Sequence, residues 1–314
     1  MFLIGSLLIS FVIGEFLVRI FLKVPLEEKY LVFFSSNFVQ IPENKRDPDL
    51  FWKPKKINNK YFKNKADNCF RIICLGDSIT MGFSSDSKPL PEKQTYPYKL
   101  EQLLRLQFKE KNIEIINASN DGFSSLHGVR YLKKTLREYH PDLVICWMGI
   151  NDHSSIFSFS DKQQKVSMIK AAQAKPEKNR SKLYLLVKNF CLNKWIFNDT
   201  IDRVSSEDYY LNYEQMLNVA RQDAFEIVFI IPFEVSLKKN SVETLREYQE
   251  SLEALQKKYG CVILDLSLIL QSYNKKELFI DMCHPNEKGN QLIAEIIDDL
   301  LFDFLDEMLS RKSN

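Results

Sequence analysis

From Phe70 onward, short unbroken apolar runs alternate with longer stretches of helical spacing. Five runs have the length and composition of strands: Phe70–Leu75, Ile113–Ile116, Leu143–Met148, Phe225–Ile231 and Cys261–Leu266. Tyr96–Lys111 places Leu100, Leu103, Leu104 and Phe108 on one helical face. Leu126–Tyr139 reads as a helix that stops before Pro141, and Val242–Tyr259 as one closed by Gly260. Glu287–Leu309 predicts a long terminal helix. Strands that alternate with helices form a parallel sheet covered on both faces. The runs lack polar alternation, as strands buried on both sides should.

The pattern changes in three places. Residues 1–22 are apolar and uncharged up to Gly14, broken only by Glu15 and Arg19, four apart on one helix face. As a helix they would span about 33 Å, enough to cross a bilayer. The expectation is a single-pass membrane anchor. A buried or interfacial helix is the plainer alternative. Arg19, Lys23 and Lys29 follow the run, which by itself would put the main domain in the cytoplasm; the side is left open. Residues 23–68 are polar and interrupted by Pro25, Pro42, Pro48 and Pro54, which predicts an extended connector. Residues 153–207 interrupt the alternation inside a domain spanning 69–310, either as a lid or wall beside the site or as a loose decoration.

Length and charge narrow the function class. A chain of 314 residues can bury one large core with an appendage. A net charge of +2 gives no footprint for nucleic acid. The six cysteines show no CxxC and no metal-like spacing, and Cys74, Cys146 and Cys261 lie in or beside strand runs as small buried hydrophobes. No metal or other cofactor is implied. G-x-S-x-G, P-loop and G-x-G-x-x-G patterns are all absent.

The chemistry concentrates at the ends of strands. Gly76-Asp77-Ser78-Ile79-Thr80 follows the first run, where a glycine-flanked turn can present a serine nucleophile. Gly122 follows the second and Gly149-Ile150-Asn151-Asp152 the third. Asp281-Met282-Cys283-His284 supplies the other residue types of a serine triad. In open parallel sheets ligands bind beyond the carboxyl ends of the strands, so Ser78, Gly122 and Asn151 should meet there. Each has an ordinary reading when taken alone: Ser78 as a helix cap, Gly122 as turn chemistry, Asn151-Asp152 as a turn, His284 as a surface histidine. The four in this order favour catalysis.

The ordered blocks resemble the SGNH hydrolases, also called the GDSL esterase/lipase family. The resemblance rests on Gly76–Thr80, Asn117–Gly122, Gly149–Asp152 and Asp281–Asn286 with Gly289, and covers roughly residues 70–300. It implies a three-layer α/β/α domain with a five-stranded parallel flavodoxin-like sheet, preceded here by the N-terminal apolar helix. It also implies a serine esterase that works through an acyl-serine intermediate. Ser78 would be the nucleophile, His284 the base and Asp281 its orienting partner. The oxyanion hole would come from the Ser78 and Gly122 backbone N–H groups and the Asn151 amide. Substrates across the family include lipids, acylated sugars and small acyl esters. An O-acyltransferase acting on a glycan and a membrane-tethered binding protein on the same fold are the alternatives. Asp152 reads as loop support. His153 sits beside the tetrad, and His127 and His140 carry no assignment.

Overall fold

The computed structural model describes residues 2–21, 31–34, 37–40, 43–58, 61–86, 88–157, 160–164, 181, 183 and 200–311. The chain divides into two compact units, residues 1–53 with 155–201 and residues 54–154 with 202–314.

In the first unit Phe2–Phe21 is an α-helix. Leu31–Phe34 pairs antiparallel with Asn37–Gln40, and Arg46–Asp47 with Phe51–Trp52. The predicted Glu15–Arg19 pair forms, at 2.7 Å. Glu15 also accepts from the Ser181 hydroxyl at 2.7 Å and the Leu183 N–H at 2.8 Å, so this face of the helix is charged and bound to protein. Among the described residues no helix is long and apolar enough to cross a membrane. The anchor expected of residues 1–22 gains no support from the fold and stands on the sequence alone.

The second unit is built on five parallel strands: β1 Cys69–Gly76, β2 Asn112–Ser119, β3 Leu143–Trp147, β4 Glu226–Ile230 and β5 Val262–Leu264. Their order across the sheet is β5-β4-β3-β1-β2, the flavodoxin-like arrangement. Five longer helices flank it: α1 Tyr96–Gln107, α2 Ser125–Lys134, α3 Ser206–Asp223, α4 Arg246–Tyr259 and α5 Glu287–Arg311. Side chains alternate across a strand. Ile72, Cys74, Ile145, Trp147 and Val228 therefore join one core with Leu100 and Leu104 of α1 and Ile293, Ile297 and Leu301 of α5. On the other face Cys146 meets Met216 of α3 at 3.8 Å, and Phe229 packs its ring edge-on to Tyr213 at 4.7 Å. Helices on both faces of a parallel sheet make the expected three-layer domain.

Two local expectations change. Val242–Tyr259 is not one helix: Ser241–Thr244 pairs antiparallel with Phe233–Ser236, and the helix begins at Arg246. The Gln271 side chain bonds both the N–H and the carbonyl of Val242, a pairing with the extended backbone that no helix could accept. The predicted helix Leu126–Tyr139 ends at Lys134 and gives way to a 3₁₀ turn over Leu136–Tyr139. Helix α3 was hidden in the sequence because Tyr209, Asn212 and Tyr213 share its buried face with Met216, Leu217, Val219 and Ala220, which blurs the aliphatic stripe. Cys69, Cys74, Cys146 and Cys283 are buried thiols and Cys261 is only half-buried, while Cys191 lies outside the described residues.

Candidate active site

Register places the site at one edge. Gly76 of β1 is level with Ser119 of β2 and with Trp147 of β3. Ser78, Gly122 and Asn151 lie two, three and four residues beyond that row, past the carboxyl ends of their strands. The sheet order reverses between β1 and β3, the position at which such sheets open a crevice.

The turn out of β1 is tight. A Cβ on Gly76 would lie 2.0 Å from the Thr80 hydroxyl, so only glycine allows Ser78–Met81 to wind into its short helix there. Asp77 caps that helix by accepting from the Ile79 N–H at 2.9 Å. The Asn117 amide holds the Thr80 carbonyl at 3.1 Å. Ser78 is thereby presented at a fixed position and is 6% exposed.

His284 reaches this serine from 206 residues away, with Nε2 2.8 Å from the Ser78 Oγ. Its Nδ1 is 2.7 Å from the Asp281 Oδ2. Asp281 also builds the turn that carries the histidine, because its Oδ1 accepts from the backbone N–H groups of Cys283 at 2.9 Å and His284 at 2.8 Å. Burial pushes the Asp281 carboxyl up, but the His284 bond and these two N–H groups outweigh it and hold it well below the usual carboxylate range. Burial disfavours the His284 imidazolium, yet the bond to Asp281 and its charge prevail and raise the imidazole above its ordinary value. Phe83 packs against the imidazole, with ring centroids 5.3 Å apart.

Gly122 and Asn151 occupy loops on either side of this turn. Gly122 has φ +69°, in the left-handed region that favours glycine. The Asn151 Nδ2 donates to the Asp77 Oδ2 at 3.2 Å and to the Phe123 carbonyl at 3.1 Å. It thus links the loop after β3 to the nucleophile turn and to the residue after Gly122. Asp77 is fully buried, and that burial pushes its carboxyl up to about 7, with the Ile79 N–H and the His284 charge opposing.

The neighbouring candidates separate. Asp152 supports the loop, as expected: its buried carboxylate accepts from the Ser125 N–H at 3.0 Å and from the Ser125 hydroxyl. His153 is exposed and lies 3.7 Å from Asp202. His127 is buried and stacks on Phe123, with Nδ1 2.8 Å from the Ser124 hydroxyl. His140 sits in a left-handed helix cap.

Among the described residues one group has metal-ligand character: the donor atoms of Asp281, Cys283 and His284 lie within 4.8 Å of one another. The Cys283 Sγ is 3.5 Å from one ring nitrogen and 4.0 Å from the other. Both imidazole nitrogens already have partners, Nδ1 in Asp281 and Nε2 in Ser78. The set serves the Asp281–His284–Ser78 relay better than an ion.

The family model for GDSL-like lipase/acylhydrolase matches residues 72–297, a span that takes in every residue of this relay. The chain belongs to that family. Its members are ester-bond hydrolases. An acetylxylan esterase from Xylanibacter ruminicola is 25% identical over 245 residues, covering 74% of this chain and 43% of the relative. The chain therefore spans less than half the length of that curated relative. A solved structure described as a GDSL-like lipase from Parabacteroides merdae aligns with a TM-score of 0.50 at 15% identity, over 75% of this chain and 96% of the other. A lipase/acylhydrolase from Enterococcus faecalis aligns at 0.47 and 17%, over 74% and 95%. At 15% identity the likeness to the Parabacteroides merdae structure speaks for the fold alone.

One residue of the GDSL site carries no sequence signal. Arg203 is 1% exposed and donates from Nη1 to the Gly122 carbonyl at 3.0 Å. It lies within the span read as an insertion, in no motif, and only the folded chain brings it to the second loop.

Proposed function

We propose that the protein hydrolyses carboxylic esters through an acyl intermediate on Ser78. The observation that carries this reading is the continuous hydrogen-bonded line from Asp281 through His284 to Ser78, at 2.7 and 2.8 Å. In the proposed cycle His284 takes the Ser78 proton as the hydroxyl attacks the carbonyl carbon. The C–O bond to the alcohol then breaks, and His284 returns the proton to the departing alkoxide. A water, deprotonated by His284, then attacks the acyl carbon; the bond to the Ser78 Oγ breaks, the carboxylic acid leaves and His284 returns the proton to the Ser78 Oγ. Asp281 stabilises the imidazolium in both halves.

The proposed oxyanion donors are the N–H groups of Ser78 and Gly122 and the Asn151 amide. Asn151→Ala is expected to lower kcat about 10²–10³-fold with a small change in KM, since the donor matters most when charge develops on the carbonyl oxygen. Steady-state kinetics on a soluble ester checks this, and a purely KM effect would assign Asn151 to binding instead.

Within the ester class, the likeness to the Xylanibacter ruminicola acetylxylan esterase favours acetyl groups on a carbohydrate over long acyl chains. A p-nitrophenyl ester series from acetyl to long chain, with acetylated xylan and the Ser78→Ala variant in parallel, tests the reaction and its acyl length together. A preference for long chains would remove the acetyl proposal while leaving the esterase standing. Membrane attachment through residues 1–22 is proposed from the sequence alone. Full-length protein should then sediment with membranes and a variant lacking residues 1–22 should not; equal partition of the two would end that reading.

A further inference from the structure

One buried residue bonds to both of the loops proposed to supply oxyanion donors. Arg203 donates from its buried guanidinium to the Gly122 carbonyl at 3.0 Å. Its backbone N–H donates to the Ser154 carbonyl at 3.1 Å, and the next N–H, of Val204, donates to the Asp152 carbonyl at 3.1 Å. Asp152 and Ser154 follow Asn151 within and at the end of the short helical turn that presents it. A second tie lies beside the first, where the Asp152 carboxylate accepts from Ser125 and the Asn212 amide donates to the Ser125 hydroxyl at 2.9 Å. Gly122, with no side chain and a positive φ, has little of its own to fix its peptide planes. Its orientation depends on what holds its backbone. A planar guanidinium holds a carbonyl in one direction, which a flexible ammonium does not.

We infer that Arg203 is a positioning residue for the oxyanion site: its guanidinium pins the Gly122–Phe123 peptide, the unit next to the one that carries the Gly122 N–H, while its backbone pins the Asn151 turn. The inference rests on the esterase reading above. Arg203 touches neither substrate nor Ser78 in this role. It acts through the two loops, so its loss should weaken transition-state stabilisation while leaving ground-state binding in place.

The test uses the full chain with Arg203→Lys and Arg203→Ala, beside wild type and Ser78→Ala. With a short-chain p-nitrophenyl ester, Arg203→Lys should lose about tenfold or more in kcat, with KM within about threefold of wild type. Millimolar guanidinium should restore part of the kcat lost in Arg203→Ala. By hydrogen exchange, the amides of residues 120–124 should open faster in Arg203→Lys while β1 and β3 keep their protection, and Tm should stay close to wild type. Wild-type kcat with unchanged exchange at 120–124 overturns the inference. So does a loss of activity matched by lower Tm and faster exchange throughout the sheet, which would make Arg203 a folding residue only. If wild type shows no turnover that depends on Ser78, the esterase reading fails by itself. The exchange comparison then still decides whether Arg203 holds the Gly122 loop.

Discussion

Ser78→Ala is expected to remove ester turnover, by about 10⁴-fold to 10⁶-fold in kcat, while leaving the domain folded. The size follows from the chemistry, since without the hydroxyl there is no group to carry the acyl chain and His284 has no proton to take. The residual rate would be that of water positioned by the remaining donors. The fold should survive because the turn does not depend on this hydroxyl. Asp77 caps the short helix through the Ile79 N–H, and Asn117 holds the Thr80 carbonyl. The Ser78 Oγ bonds only to His284 among the described residues. Kinetics with p-nitrophenyl acetate and a thermal melt on the same preparation check both halves. Turnover in the mutant within tenfold of wild type would place the nucleophile elsewhere.

Asp281→Asn should cost about 10⁴-fold in kcat and also move the pH profile. The asparagine carbonyl can still accept the Cys283 and His284 N–H groups, so the turn persists. The loss is electrostatic: a neutral amide neither fixes the tautomer with Nδ1 protonated nor stabilises the imidazolium. The sign of the pH effect follows from the base. His284 must be neutral to accept the Ser78 proton, so kcat/KM rises with pH through the His284 pKa. In the wild type burial lowers that pKa, but the Asp281 bond and charge win and place it above the ordinary value near 6.5. The acid limb of kcat/KM should therefore lie above about pH 6.5 in the wild type and shift to lower pH in Asp281→Asn. A limb that stays in place would show that Asp281 is not the charge acting on His284.

Much of the fold was legible because its signals are local. Five apolar runs became five strands, with no end moved by more than three residues. Parallel pairing followed from their alternation with helices. What failed was also local, but ambiguous. Val242 and Leu245 fit a helical stripe as well as they fit an extended ribbon, and the choice was made by Gln271, 29 residues away. Helix α3 went unread because two tyrosines and an asparagine share its buried face with the aliphatic residues, and the tyrosines meet partners distant in sequence such as Phe229 and the Met148 carbonyl.

The site divides in the same way. Gly76–Thr80 and Asp281–His284 each hold, within a few residues, the groups that shape their own turns: the Asp77 cap and the Asp281 carboxylate on successive N–H groups. Short segments of this kind announce their chemistry, so the serine, the histidine and its aspartate could be named from the sequence, as could the loops holding Gly122 and Asn151. The distance of 2.8 Å across 206 residues, the Asn151 amide on Asp77 and the Arg203 guanidinium on Gly122 belong to the tertiary structure. A hydrogen bond between distant residues leaves no periodicity and no spacing in the chain. It exists only once the parallel sheet has brought the ends of β1, β2 and β3 to one edge.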